Sequence, residues 1–469
     1  MSAGSGSGAL RPQDIVEQAL ALAKSDGCIV IAGESTSANL RWATNTLTTN
    51  GVMRSRSVTV ISTIGTGTGV ASGAVSRSAV ASDEIEALVR AAEETARGNG
   101  AADDAQPLVE GDAAADWDEP PVETSIDVFD TVAPALGDAF GSARGAGRLL
   151  YGFVEHEVDT YYLGSSTGLR LRHVQPQGHI GITGKVATDL ARSAWVGQAT
   201  RDFSDVSIGA LDAELARRLA WSERRIELAP GRYDTVLPPT AVADLMIYAY
   251  WEMGGRSAHE GRTVFSRPGD GTRVGERLTP QPVTLRSDPT MPGLQSAPFV
   301  LARASSGTSS VFDNGLALGP TDWIRNGKLN ALLQTRRSAE LTGLPVTPMV
   351  GNLIMEVAGA TGGVDDLVAG VDRGLLLTCL WYIREVDPQT LLLTGLTRDG
   401  VYLVEGGEVV GAVNNFRFNE SPIDLLSRFS LAGTTVPAFS REWGDYFHRT
   451  AMPSLRVPDF NMSSVSPAS

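Results

Sequence analysis

"ANLRWATNTLTTNGVMRSRSVTVISTI", Ala38–Ile64, decides the fold. It is rich in Thr, Val and Ile, whose branched side chains suit a pleated strand. Asn50-Gly51 lies inside it. Asn-Gly accepts the positive φ angles of a two-residue hairpin turn. The reading is two strands, Ala38–Asn50 and Ser55–Ile64, folded back on each other without a helical crossover. Upstream, "CIVIAGE", Cys28–Glu34, extends the strand pattern. Before it, Asp14–Lys24 places Ile15, Ala19 and Leu22 at helical spacing. Downstream, "GTGTGVASGAV" continues the meander with glycines at its bends. Ser82 suits a helix cap, with Asp83 and Glu84 in the first turn, where the helix dipole favours acids. Ile85, Leu88, Val89 and Ala92 supply that helix's apolar face.

Further along, "GNGAADDAQPLVEGDAAADWDEPP" lacks any period and predicts a long acidic surface loop over 98–121. Strands resume in "LLYGFVEHEVDTYYLG", "GLRLRHVQ" and "GHIGITGKVA". Leu211–Arg224 has helical spacing, and "GRYDTVLPP" is a strand running into a turn. Thr240–Met253 is a mostly apolar helix with Pro239 at its start. Past residue 262, short strands alternate with Gly and Pro turns. Helices and antiparallel strands without regular βαβ alternation predict an α+β fold. The expected division is a flexible tail over 1–10, an N-terminal α+β domain over 11–230 and a strand-rich C-terminal domain over 231–469. The helix near residue 246 is expected close to their junction, where clefts form.

The net charge is -15. Nearly all of it lies in Asp83–Asp130, where Arg90 and Arg97 are the only bases. No cluster of Lys and Arg offers a phosphate-binding face, so nucleic acid is excluded as a partner. No run of about 18 apolar residues occurs, so no membrane helix is expected. The N-terminus lacks a basic region followed by an apolar run, so it is not read as a secretory signal. Two cysteines, Cys28 and Cys379, sit in apolar surroundings and are read as buried reduced thiols. A cytoplasmic location fits these features.

Catalytic signatures are sparse. His259-Glu260 echoes the start of a zinc-peptidase helix, but the positions four and five after His259 are Thr263 and Val264. One helix turn needs two imidazoles to hold zinc, and flanking Gly254, Gly255 and Gly261 disfavour a helix. The pair is expected in a loop. His173 and His179 flank Pro176 and are expected at a solvated strand turn. Gly164-Ser165-Ser166-Thr167-Gly168 spells Gly-x-Ser-x-Gly but lies between two strand patterns, not ahead of a helix, so it is no nucleophile elbow, and no histidine lies beside Cys379. "GTGTGVASG" lacks the Lys-Ser/Thr ending of a phosphate loop.

Four longer stretches resemble the TldD/PmbA family, also called modulators of DNA gyrase. They are "LRSDPTMPG" (285–293), "DWIRNGKLNALLQTRRSAELTG" (322–343), "PMVGNLIMEVAGATGGVDDLVAGVDRGLLLT" (348–378) and "LTRDGVYLVEGGEVVGAVNNFRFNESPIDLL" (396–426). "YYLGSSTGLRLRH" adds to the likeness in the first half. The resemblance implies one of two subunit kinds. One carries a His-Glu-x-x-x-His helix that binds zinc and cleaves peptides; the other, TldE or PmbA, lacks the motif and pairs with it. Here the corresponding helix is "TAVADLMIYAYWEMGG", and the motif slots fall on Ile247, Tyr248 and Glu252. Neither histidine slot holds a histidine, and a tyrosine is no general base at neutral pH.

The resemblance thus implies a subunit without metal or catalytic residues of its own. Zinc is expected in a TldD-like homologous partner subunit, with a small or unfolded peptide as the substrate of the pair. Tyr248, Tyr250, Glu252 and His259 are the candidate peptide-binding residues, although Tyr250 and Trp251 equally fit a packed core. Arg336 could hold a peptide carboxylate, or it and Arg337 could be solvated bases beside Glu340. Two other readings stand beside this one. The chain could be a zinc-independent enzyme acting on a small modified substrate, or a peptide-binding homodimer when alone.

Overall fold

The computed structural model describes residues 10–269 and 271–466. The tail expected over 1–10 falls outside them except for Leu10. The first half is one antiparallel sheet flanked by four helices, and the α+β expectation holds. Its helices are α1 (Pro12–Leu22), α2 (Ile85–Gly98), α3 (Val132–Gly145) and α4 (Ile208–Trp221). Its strands are β1 (Gly27–Ala43), β2 (Thr46–Thr66), β3 (Gly69–Ser78), β4 (Arg148–Ser165), β5 (Arg170–Val186) and β6 (Asp189–Thr200). The strand order is β3-β2-β1-β4-β5-β6.

The β1–β2 hairpin forms, but its turn is not at Asn50-Gly51. Those residues pair with Leu40 and Asn39 inside the ladder. The chain reverses at Thr44-Asn45, both at positive φ (50° and 62°). The reason is tertiary. The Asn45 amide donates to Arg148 O at 2.8 Å and its oxygen accepts from Leu150 N at 2.7 Å. Its backbone N–H also reaches Leu150 O. Three bonds into β4 outweigh the local preference for glycine.

Side chains alternate across a strand with period two. Cys28, Val30, Ala32, Ala38, Leu40 and Trp42 of β1 therefore share one face, and all four helices pack there. Helix α2 lies so close to β3 that a Cβ on Gly73 would sit 2.2 Å from the Ala96 backbone nitrogen. The opposite face carries Ile29 and Ile31 and meets Phe299, Val311 and Phe312 of the second half.

Residues 99–125 do form a long irregular segment, but it is more than a solvated loop. Trp117 is buried edge-on against Tyr162, with centroids 5.7 Å apart. Gln13 donates to the carbonyls of Trp117 and Glu119, and the Tyr162 hydroxyl donates to Glu119 O. Asp104 accepts from Ser305 and Ser310, and Asp103 pairs with Arg256 at 3.4 Å. The acids stay outward while the segment straps the two halves together.

Strand β5 runs unbroken through Pro176, where a turn was expected. Pro176 pairs with Val158 of β4, while β6 joins β5 only from Gly178 onward. The missing N–H thus faces no ladder partner. His173 and His179 lie on one continuous strand, roughly 20 Å apart at the usual rise per residue, and do not meet.

The second half begins with β7 (Arg225–Ile226), β8 (Gly231–Leu237), α5 (Pro239–Trp251) and the one-turn α6 (Gly255–His259). Two sheets follow. The smaller has six strands, with Val283–Ser287 and Leu353–Val357 at its centre. The larger has ten, with β8 between Leu455–Val465 and Arg373–Leu377. Helix α5 is apolar on nearly every side because it fills the space between them. The core it belongs to includes Leu285 and Met355 of the smaller sheet and Leu375, Leu393 and Phe416 of the larger. No helix among the described residues is long and apolar enough to cross a membrane.

Candidate functional site

Helix α5 starts at Pro239, whose fixed φ suits a first helical turn. Its last turn holds the three positions of interest. Ile247 is wholly buried in the core and offers no donor atom. Tyr248 is half-buried, its ring 5.7 Å from that of Trp443. Glu252 ends the helix, half-buried. Burial raises its pKa above the ordinary carboxylate value, and the nearby Glu385 charge adds to the shift. Glu385 is raised for the same first reason, with Asp387 second. Among the described residues neither Glu252 nor Glu385 has an ion-pair partner. A hydrocarbon, a phenol and a carboxylate pair make a poor zinc site, which wants three protein ligands and prefers nitrogen or sulfur. No group of three His, Cys, Asp or Glu side chains among the described residues is placed to hold a metal. The donor set does not fit the ion.

The other candidates separate. Tyr250 is fully buried. Its hydroxyl donates to Val350 O at 3.0 Å and accepts from Val350 N at 2.9 Å. Its ring packs 5.2 Å from Trp323. It is core, and no peptide can touch it. Tyr250→Phe should cost about 2–3 kcal/mol in chemical denaturation, because two buried backbone groups lose their partner. His259 ends α6 rather than lying in a loop. Gly254 and Gly255 do not break that turn; they let it dock. Gly255 N–H bonds Leu333 O, and a Cβ there would strike the Gln334 amide at 2.2 Å. Glu260 is paired with Arg256 and Arg262. Arg336 is not free for a substrate carboxylate. Its Nε donates to buried Asp313 at 2.7 Å, and its terminal nitrogen to Phe312 O. Arg337 pairs with Glu340 at 3.1 Å, as an exposed base.

A large opening lies where β5 and β6 face the second half. It is a cleft of about 930 Å³, walled by Met291–Gln295, Thr435–Phe439 and His448–Ala451, with Pro239 and Thr240 of α5 at one side. A second space of about 430 Å³ adjoins it and shares His173, Gln175, Gln177, His448 and Arg449. This is an ordinary size for a ligand site. The rings of His179, Phe439 and His448 form a three-way cluster, with His179 5.4 Å from Phe439 and 5.3 Å from His448, and those two 6.2 Å from each other. Burial lowers the pKa of both imidazoles, that of His448 to about 3, with His179 next among its causes. Both rings are therefore neutral at physiological pH. Arg449 donates from Nη1 to Gln177 Oε1 and from Nε to Gly351 O, each at 2.9 Å. It brings positive charge to the shared wall. Tyr248 and Glu252 line neither space, although the start of their helix does. Sequence reasoning missed this cleft because its walls come from segments nearly 300 residues apart and carry no local motif. Cys28 and Cys379 are buried free thiols with pKa pushed up to about 12 by burial, so neither is a nucleophile.

Residues 230–464 match the PmbA/TldA metallopeptidase C-terminal domain. The whole fold is similar to the crystal structure of TldE from Thermococcus kodakarensis, at 15% identity and a TM-score of 0.75, over 96% of this chain and 99% of that one. It is also similar to proteins described as modulators of DNA gyrase. The one from Bacteroides thetaiotaomicron has 16% identity and a TM-score of 0.72, over 97% of this chain and 98% of that one. The one from Thermotoga maritima has 17% identity and a TM-score of 0.73, over 96% and 99%. No curated protein matches the sequence. At these identities the structures speak for the fold alone. The domain match, which spans half the chain, carries the membership: the chain belongs to the TldD/PmbA family.

Proposed function

We propose that this chain is the metal-free, TldE-like subunit of a TldD/TldE-type metallopeptidase. In this reading a homologous partner supplies the zinc, and this chain contributes a wall of the chamber that holds a small or unfolded peptide. The observation that carries it is the last turn of α5. By the family resemblance, Ile247, Tyr248 and Glu252 take the positions at which a zinc-binding subunit carries two imidazoles, and beside the start of their helix the chain keeps a cleft of about 930 Å³. The fold likeness to TldE supports the same reading.

Metal analysis of the purified chain is expected to find less than one zinc per ten molecules and no peptide cleavage. Mixing it with a zinc-bearing homologue should give a heterodimer with peptidase activity. Stoichiometric zinc and proteolysis by the chain alone would overturn the proposal. One observation favours a second reading. Glu252 beside Glu385 holds its proton more tightly than an ordinary carboxyl, as a general acid would. Turnover of a small substrate by the isolated chain, lost in Glu252→Gln, would favour that zinc-independent enzyme instead.

A further inference from the structure

A third, smaller cavity of about 170 Å³ shares no lining residue with the large cleft or with the last turn of α5. Lys185 near the end of β5 lines it from the first half. Trp381, Arg398, Asp399 and Arg441 line it from the second. Three cations thus share one small space with a single carboxylate. The carboxylate is already engaged: Asp399 accepts the Ser193 hydroxyl and lies 3.5 Å from Arg398. The Lys185 ammonium has no hydrogen-bond or ion-pair partner among the described residues. Arg441 is held by stacking alone, its guanidinium carbon 4.1 Å from the Trp381 ring centre and 4.9 Å from that of Trp195. The neighbouring Glu442 does not reach it, because that carboxylate accepts from the backbone N–H groups of Tyr382 and Ile383.

Stacking between two indoles fixes the plane of a guanidinium and strips it of water without giving it an acceptor. Like charges gathered in a half-buried pocket repel one another unless something neutralises them. The excess over Asp399 is two positive charges, which suits a dianion better than a single carboxylate. A volume of about 170 Å³ admits a phosphate with a few waters and excludes a nucleotide. We propose that this pocket binds a phosphate-class oxyanion, held by Lys185, Arg398 and Arg441. It spans the two halves of the molecule, so a bound anion also ties β5 to the large sheet. The site needs no partner subunit and no peptide, so it stands apart from the proposed peptidase role.

Isothermal titration of the full chain with inorganic phosphate, at ionic strength held constant with potassium chloride, tests it. Saturable one-to-one binding is expected. Lys185→Ala and Arg398→Ala should each weaken it at least tenfold, and Asp399→Asn should tighten it. Arg441 is left in place because its removal would unstack two tryptophans. Glycerol phosphate in a second titration separates the sources: tighter binding than the free ion points to an ester head group, weaker binding to phosphate itself. No heat beyond the chloride control, or parental affinity in both alanine variants, overturns the proposal.

Discussion

Asp212→Ala is expected to destabilise the folded chain by about 3–5 kcal/mol, the usual cost of removing one partner of a buried ion pair. Arg148 opens β4 and Asp212 lies in the second turn of α4. Their bond is bidentate, Nη1 to Oδ1 at 2.5 Å and Nη2 to Oδ2 at 3.0 Å. The two side chains are only 9% and 12% exposed. Around them are Leu150, Leu215 and Leu219, which offer no replacement acceptor. The truncated protein must therefore bury an unpaired guanidinium or pull α4 off the sheet. Urea denaturation measures the loss. The double variant Arg148→Met with Asp212→Ala is the control and should recover much of it, since the penalty comes from the orphaned charge. A single variant that unfolds at the same urea concentration as the parent would show that water reaches the pair.

Asp244→Asn should act in the opposite direction, and only as pH rises. Asp244 is fully buried on α5, and burial lifts its pKa from 3.8 to about 7. Its Oδ1 accepts from the Ser440 hydroxyl and from Glu442 N at 2.9 Å, while Oδ2 has no partner. Between pH 3.8 and about 7 the folded chain holds a proton that the unfolded chain has released. Stability from this group is therefore fully present below 3.8 and falls as pH rises to about 7. Asparagine mimics the protonated carboxyl, keeps the oxygen as acceptor and has nothing to ionise. The variant should match the parent near pH 4 and exceed it above pH 7, by roughly 4 kcal/mol at most. Melting curves at pH 4, 6 and 8 check this; parallel curves at every pH would sink it. The effect matters for the site because Asp244 pegs the segment after Ser440. Trp443 Nε1 also bonds Asp244 O, and Trp443 frames both Tyr248 and Trp251.

The strand character of β1, the apolar spacing of α2 and the mostly apolar make-up of α5 could be read from the chain alone, because burial on one face imposes a period of 3.6 on a helix and burial on every side removes it. The turn could not. Asn50-Gly51 has the better local chemistry, and Thr44-Asn45 wins through bonds to β4, which a local reading does not see. Pro176 likewise looked like a break; its tolerance depends on where β6 begins. At the site, the absence of imidazoles from α5 was legible as spelling. Tyr250 and Arg336 were misjudged because their partners, Val350 and Asp313, are distant in sequence, and only the folded chain shows them engaged. The cleft and the small cationic pocket left no local trace, since each joins segments from both halves.

The pairing of β1 with β4 also bears on how the polypeptide is born. Ile29 lies beside Ser165 and Trp42 beside Gly152, so β1's second neighbour leaves the ribosome long after β1 itself. Until then the hairpin with β2 shows an open edge near Ile29 and Ile31, the kind of surface that recruits other nascent chains. Helices α1 and α2 arrive in time to cover one side of it. The other side waits for Phe299 and Phe312, which makes vectorial synthesis the most exposed moment in the life of this sheet.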